Sequence, residues 1–80
     1  MTVIRNGIYR HYKGHNYKVI DIVKHTETNE ELVLYECLYD NPDGKFWVRP
    51  IKLFQEELVI GSQLVPRFEY VGNTKGKSRL

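Results

Sequence analysis

The sequence predicts a small, all-β domain. Three observations carry that expectation. Short runs of β-branched and aromatic residues alternate with polar ones. Asn41-Pro42-Asp43-Gly44 makes a strong hairpin turn, and a helix-like period appears only for a turn or two after Pro50. Eighty residues make one domain, of a size that buries only about 60% of the surface its unfolded chain exposes. A hydrophobic content of 41%, with six Tyr, three Phe and one Trp, is that of a folded chain rather than a disordered one.

Taken in order, residues 7–12 alternate Ile8, Arg10 and Tyr12 against Tyr9 and His11, as a strand does. Lys13-Gly14-His15-Asn16 is a turn. Residues 17–25 form a longer strand, with Tyr17, Val19 and Val23 on one face and Ile20 and Ile22 on the other. Apolar residues on both faces suit a strand that curves and is covered on different sides along its length. Residues 26–30 are a polar loop whose Thr and Asn side chains can bond to nearby backbone.

The hairpin of residues 31–50 organises the remainder. Pro42 presets φ for the first central turn position, Asp43 suits the second, and Gly44 tolerates the positive φ of a bulge. That geometry sets Asn41 opposite Lys45, followed by Asp40–Phe46, Tyr39–Trp47, Leu38–Val48 and Cys37–Arg49. One face then collects Leu34, Glu36, Leu38, Phe46 and Val48, and is expected to build the core. The other collects Val33, Tyr35, Cys37, Tyr39, Trp47 and Arg49, an aromatic surface with an arginine at its centre. After Pro50, the spacing of Ile51, Leu53, Phe54 and Leu58 suggests one or two helical turns. Gly61-Ser62-Gln63 ends them, and residues 65–71 return to alternation with Pro66 at an edge or strand start.

About five antiparallel strands with one short helical turn before the last is the order of an SH3-like barrel. The expected organisation is one domain over residues 1–72 and a flexible basic tail over 73–80. Lys75, Lys77 and Arg79 account for the positive net charge of +2; residues 1–74 hold nine basic against ten acidic side chains, a net of −1. The folded part therefore has no bulk attraction for nucleic acid or membrane, although a local basic stripe stays open. The start of the chain lacks the apolar run of a secretory signal, and no stretch approaches the roughly 20 apolar residues of a membrane span. The single Cys37 has no internal disulfide partner and no zinc-site spacing. A cytoplasmic location is expected.

The ordered motifs Tyr-Arg-His-Tyr-Lys-Gly (9–14), His-Thr-Glu-Thr-Asn-Glu-Glu-Leu-Val-Leu-Tyr (25–35), Phe-Trp-Val-Arg-Pro (46–50) and Pro-Arg-Phe (66–68), with Phe54, resemble a bacterial family of unknown function, domain family 1653. The resemblance covers residues 7–70. It implies a compact bacterial domain, and it implies no catalytic residues. It draws attention to Arg10, His11, His25, Glu27, Tyr35 and Arg49 inside the motifs.

Three chemistries present themselves. His11 and His15 are four apart, a ligand spacing that works on a helix but not across a Lys-Gly turn, so no metal and no cofactor are expected. His25 with Glu27, or His11 with Glu31, would make a small enzyme of a His/Glu pair. The ordinary role for His25 and Glu27 is to organise their loop. No nucleophile motif and no phosphate-binding loop is present. The reading adopted is a non-catalytic binding module. Arg10, Tyr35, Tyr39, Trp47 and Arg49 form its ligand-binding face, with His11, His25 and Glu27 supporting the neighbouring loops. The expected ligand is a peptide, from an unknown protein partner, or a small acidic molecule. Single-stranded nucleic acid is the alternative, with bases stacked on the aromatics, and homodimerisation through the same face is a further one.

Overall fold

A computed structural model describes residues 2–73. Seven strands and one helical turn follow one another: β1 (Gly7–His11), β2 (Asn16–Lys24), β3 (Glu31–Cys37), β4 (Phe46–Pro50), α1 (Ile51–Phe54), β5 (Glu57–Ile60), β6 (Gln63–Pro66) and β7 (Phe68–Asn73). Five of them make one antiparallel sheet in the order β4-β3-β2-β1-β7, and β5 and β6 form a separate two-stranded ribbon. The architecture is the small all-β one expected. The edge strands β4 and β7 are not hydrogen-bonded to each other, so the barrel stays open. The sheet nonetheless bends enough to set the Arg49 guanidinium of β4 5.7 Å from the ring centre of Phe68 in β7. The expected basic tail falls outside the described residues, apart from Asn73.

Two bulges produce the bend. In β2 the register shifts between Val19 and Asp21, and in β7 Val71 is the extra residue opposite Ile8 and Tyr9 of β1. The β2 bulge also resolves that strand's two-faced pattern. Tyr17 and Val19 face the core before it, and Ile22, which pairs with Val33, packs on the same core after it. An alternation read straight through the strand would place Ile22 on the opposite side.

The β3–β4 register differs from the expectation by four residues. Tyr35, not Tyr39, lies across from Trp47, and Val33, not Cys37, lies across from Arg49. The turn at Asn41-Pro42-Asp43-Gly44 does form: the Gly44 N–H bonds to the Asn41 carbonyl at 3.2 Å, and Gly44 takes φ +144°. Pairing, however, resumes only at Cys37, whose N–H donates to the Lys45 carbonyl at 2.8 Å. Residues 38–40 are drawn away from β4. The Leu38 N–H donates to the Asn16 carbonyl, the Tyr39 hydroxyl meets that of Tyr17 at 3.0 Å, and the Tyr39 ring stacks on His15 at 3.9 Å. Asn41 holds the loop from inside, accepting the Asp43 N–H on its side-chain oxygen and directing its amide at the Tyr39 hydroxyl.

A shift of four is even, so the grouping of side chains by face survives. The assignment of the core does not. Val33, Tyr35 and Cys37 are buried, whereas Phe46 and Val48 are 58% and 50% exposed and Leu38 is exposed as well. The cause lies outside the hairpin. Phe54 and Phe68 arrive on the aromatic side and stack in parallel at 4.2 Å, and Tyr9, Tyr17 and Tyr35 pack edge-on or tilted around them. Such pairs contribute roughly 0.5–1.5 kcal/mol each beyond the area they bury. Val3, Val19 and Val33 complete this cluster.

Between β4 and β5 the chain makes the one short helical turn expected. Pro50 enters it at φ −50° and ψ 136°, and the Gln55 N–H returns to the Ile51 carbonyl. Four residues cannot hold a helix alone; Phe54, almost wholly buried, pins this one. Leu58 belongs to β5, which pairs with β6 across the tight turn at Gly61-Ser62, with Gly61 at φ +64°. The expected direct passage from helical turn to last strand is thus interrupted by a two-stranded ribbon.

Candidate functional site

The antiparallel registers put Tyr9, His11, Tyr17, Tyr35, Trp47, Arg49 and Phe68 on the concave side of the sheet. Arg10 pairs with Asn16 and Glu69 and faces the other way, so it does not join them. Its guanidinium reaches the Asn16 side chain at 3.4 Å.

At the end of the concave side nearest the β1–β2 turn, His11 is half-buried between Tyr12 at 4.7 Å and Phe68 at 4.9 Å. Its Nδ1 accepts the Lys13 N–H at 3.1 Å, and its backbone N–H donates to the His15 carbonyl. An imidazole accepting at Nδ1 carries its proton on Nε2. Burial, then the positive charges of Arg49, Arg67 and Lys13, and then His15, push its pKa below the ordinary histidine value. Three cationic side chains, Arg49, Arg67 and Lys13, therefore act on one half-buried ring. Arg67 is partly neutralised by Glu56 at 3.0 Å. Among the described residues, Arg49 has no carboxylate partner; its guanidinium lies over the Phe68 ring. The phenol of Tyr17 is held well above its usual range, first by burial and then by its bond to the Tyr39 hydroxyl.

The other expected site residues separate. Tyr35 is buried in the aromatic core and presents no surface for a ligand. Tyr39 is engaged by Tyr17, His15 and Asn41. Trp47 is 40% exposed, and its indole N–H donates to the Gly44 carbonyl at 3.0 Å. His25 and Glu27 sit in the β2–β3 loop, at the opposite end of β2 from His15. There the His25 Nδ1 accepts the Glu27 backbone N–H at 3.1 Å, and the His25 N–H donates to the Glu30 carbonyl. That arrangement organises the loop. No histidine approaches a carboxylate within ion-pair distance, and no three His, Cys, Asp or Glu are grouped to hold a metal, among the described residues.

A second concavity went unforeseen. Val3, Ile4, Tyr9, Phe54, Phe68 and Tyr70 line a groove of about 640 Å³ at the other end of the core. Its walls are largely apolar, and the Tyr9 hydroxyl accepts the Ile4 N–H at 2.9 Å. Residues 2–4 carry no strand or helix pattern, so nothing in the sequence marks them as a wall.

The family model that matches this chain, over residues 7–70, is that of a protein of unknown function (DUF1653). The crystal structure of a protein belonging to DUF1653 from Bordetella bronchiseptica is similar at 35% identity and a TM-score of 0.81, over 89% of this chain and 91% of that one. No curated protein matches.

Proposed function

We propose that this chain, which belongs to the DUF1653 family, is a non-catalytic binding module that takes an acidic peptide or small acidic ligand at Arg49. The observation that carries the reading is the state of that arginine. Its guanidinium lies over the Phe68 ring, 5.7 Å from the ring centre, has no carboxylate among the described residues, and stands near a half-buried imidazole that Arg67 and Lys13 also influence. A carboxylate arriving there would gain a fork-shaped donor whose position is set beforehand. It would also relieve the mutual repulsion of the cluster. Because Tyr35 and Tyr39 are engaged within the domain, the surface favours a charged group over stacked bases.

A glutamate-rich hexapeptide titrated into labelled protein provides the test. The expected result is a set of NMR shift changes at the Arg49 side chain, His11 and the Trp47 indole, weakened by added salt and abolished in Arg49→Met. Shifts confined to the β2–β3 loop, or identical behaviour of Arg49→Met, would overturn the proposal.

A further inference from the structure

β4 is an edge strand, and its hydrogen-bonding parity can be read directly. The Cys37 N–H donates to the Lys45 carbonyl across a directly opposed pair. In an antiparallel ladder, directly opposed pairs alternate between bonded and unbonded. The bonded pairs that follow are therefore Tyr35–Trp47 and Val33–Arg49. The backbone groups of Phe46, Val48 and Pro50 consequently point away from the sheet. The position of Pro50 agrees, because a proline lacking an N–H belongs where the ladder asks for none. Among the described residues, no backbone group outside the β3 ladder bonds to Phe46 or Val48, while the Pro50 carbonyl, at the N-cap of α1, opens the helical turn. Phe46 and Val48 also carry the exposed apolar side chains of the outer face. An edge of this kind offers a row of unpaired donors and acceptors to another chain.

We propose that the occupant of this edge is the β4 strand of a second copy of the chain, paired antiparallel about a two-fold axis through Val48. The sequence Phe-Trp-Val-Arg-Pro is self-complementary in that register. Val48 meets the partner's Val48 and exchanges both backbone bonds. Phe46 meets the partner's Pro50 at the end of the seam, where the missing proline N–H takes nothing away and the carbonyl is already engaged by α1. Between them Trp47 meets the partner's Arg49, twice by symmetry, in the closer, unbonded type of pair. There a guanidinium can lie against an indole face. The neighbouring register, centred on Trp47, would oppose Lys45 to the partner's Arg49 twice and would call on the Gly44 N–H, which the turn already uses. Charge and turn geometry together select the Val48-centred register. The result is one continuous sheet of ten strands whose outer apolar residues, Phe46 and Val48, meet at the join. A five-residue seam makes a weak, concentration-dependent dimer.

Sedimentation velocity over a concentration series, combined with amide exchange, tests this. The mass is expected to rise from one chain toward two with concentration. The Val48 amide should pass from fast to slow exchange in step, while those of Trp47 and Arg49 stay slow throughout. Val48→Lys opposes two ammonium groups on the axis and should raise the dissociation constant by about tenfold or more. Val48→Pro removes an outward N–H without touching the β3 ladder and should also weaken the dimer, with near-ultraviolet dichroism confirming that both variants remain folded. A chain that stays monomeric at its highest soluble concentration would overturn the proposal. So would a dimer that forms with the Val48 amide still fast, or one equally strong in Val48→Lys.

Discussion

The two sides of the β3–β4 hairpin both carry apolar side chains, in opposite surroundings. The concave side holds Val33, Tyr35 and Cys37 and is the side that packs; the outer side holds Phe46 and Val48 and is the side that meets solvent. Hydrophobicity within the hairpin does not decide between them. The difference teaches that a two-stranded unit does not choose its own core. That choice is made by the rings delivered from elsewhere, here Phe54 from a single helical turn and Phe68 from the last strand.

The largest effect that would break this comparison is the loss of the delivered ring. Phe54→Ala should destabilise the fold by about 3–5 kcal/mol, read from the urea midpoint. A cost near that of an ordinary surface change would mean that the stack at 4.2 Å does not govern which side packs. Next comes the loop that displaces the register. Tyr39→Phe removes the hydroxyl shared by Tyr17 and Asn41, and about 1 kcal/mol should be lost. The outer side should respond least. Phe46→Ser, measured in dilute protein, should change stability by about 0.5 kcal/mol or less, despite removing a larger apolar side chain than many core positions hold.

A pH series sharpens the comparison at the site itself. The folded pKa of His11 lies below its ordinary value of 6.5, so the unfolded chain binds more protons in the interval between the two. Stability contributed by the neutral ring is present above 6.5, declines as pH falls through that interval, and stops declining below the folded value. NMR titration should place His11 below 6.5. Arg49→Met, by removing a neighbouring positive charge, should move it upward. A His11 titration unaffected by Arg49→Met would separate the two groups that the concave site joins.

Much of the scaffold was legible because strand alternation and turn chemistry are local. The strands around residues 7–11, 17–24 and 31–37, the Asn41–Gly44 turn and the helical entry at Pro50 all follow from neighbours in sequence. The register of β4 was not legible. It depends on Tyr39 preferring Tyr17 and His15, more than twenty positions away, to its own hairpin partner. The Gly61-Ser62 turn did have a local signal, a two-residue Gly-Ser connection between apolar runs. The helical spacing of Leu58 from Phe54 obscured it. At the site, Arg49 and His11 stood in the motifs, but Tyr35 carried the same apparent credentials and is core. Arg10, one residue from His11, faces the other way because strand parity separates neighbours.

Cys37 closes the displaced loop, buried, with its Sγ 3.8 Å from the Gly44 carbonyl and 3.6 Å from the Asn41 amide nitrogen. It is also the single cysteine of the chain. Because Cys37 is buried against this loop, a thiol reagent should reach it faster when residues 38–44 swing away, and its reaction rate, under conditions where reclosing outruns labelling, is expected to follow the opening equilibrium of that loop. The protein thus carries an internal clock for its own hairpin. The rate needs no engineered probe, and anything that clamps the Asn41 turn, in one copy or between two, should slow it.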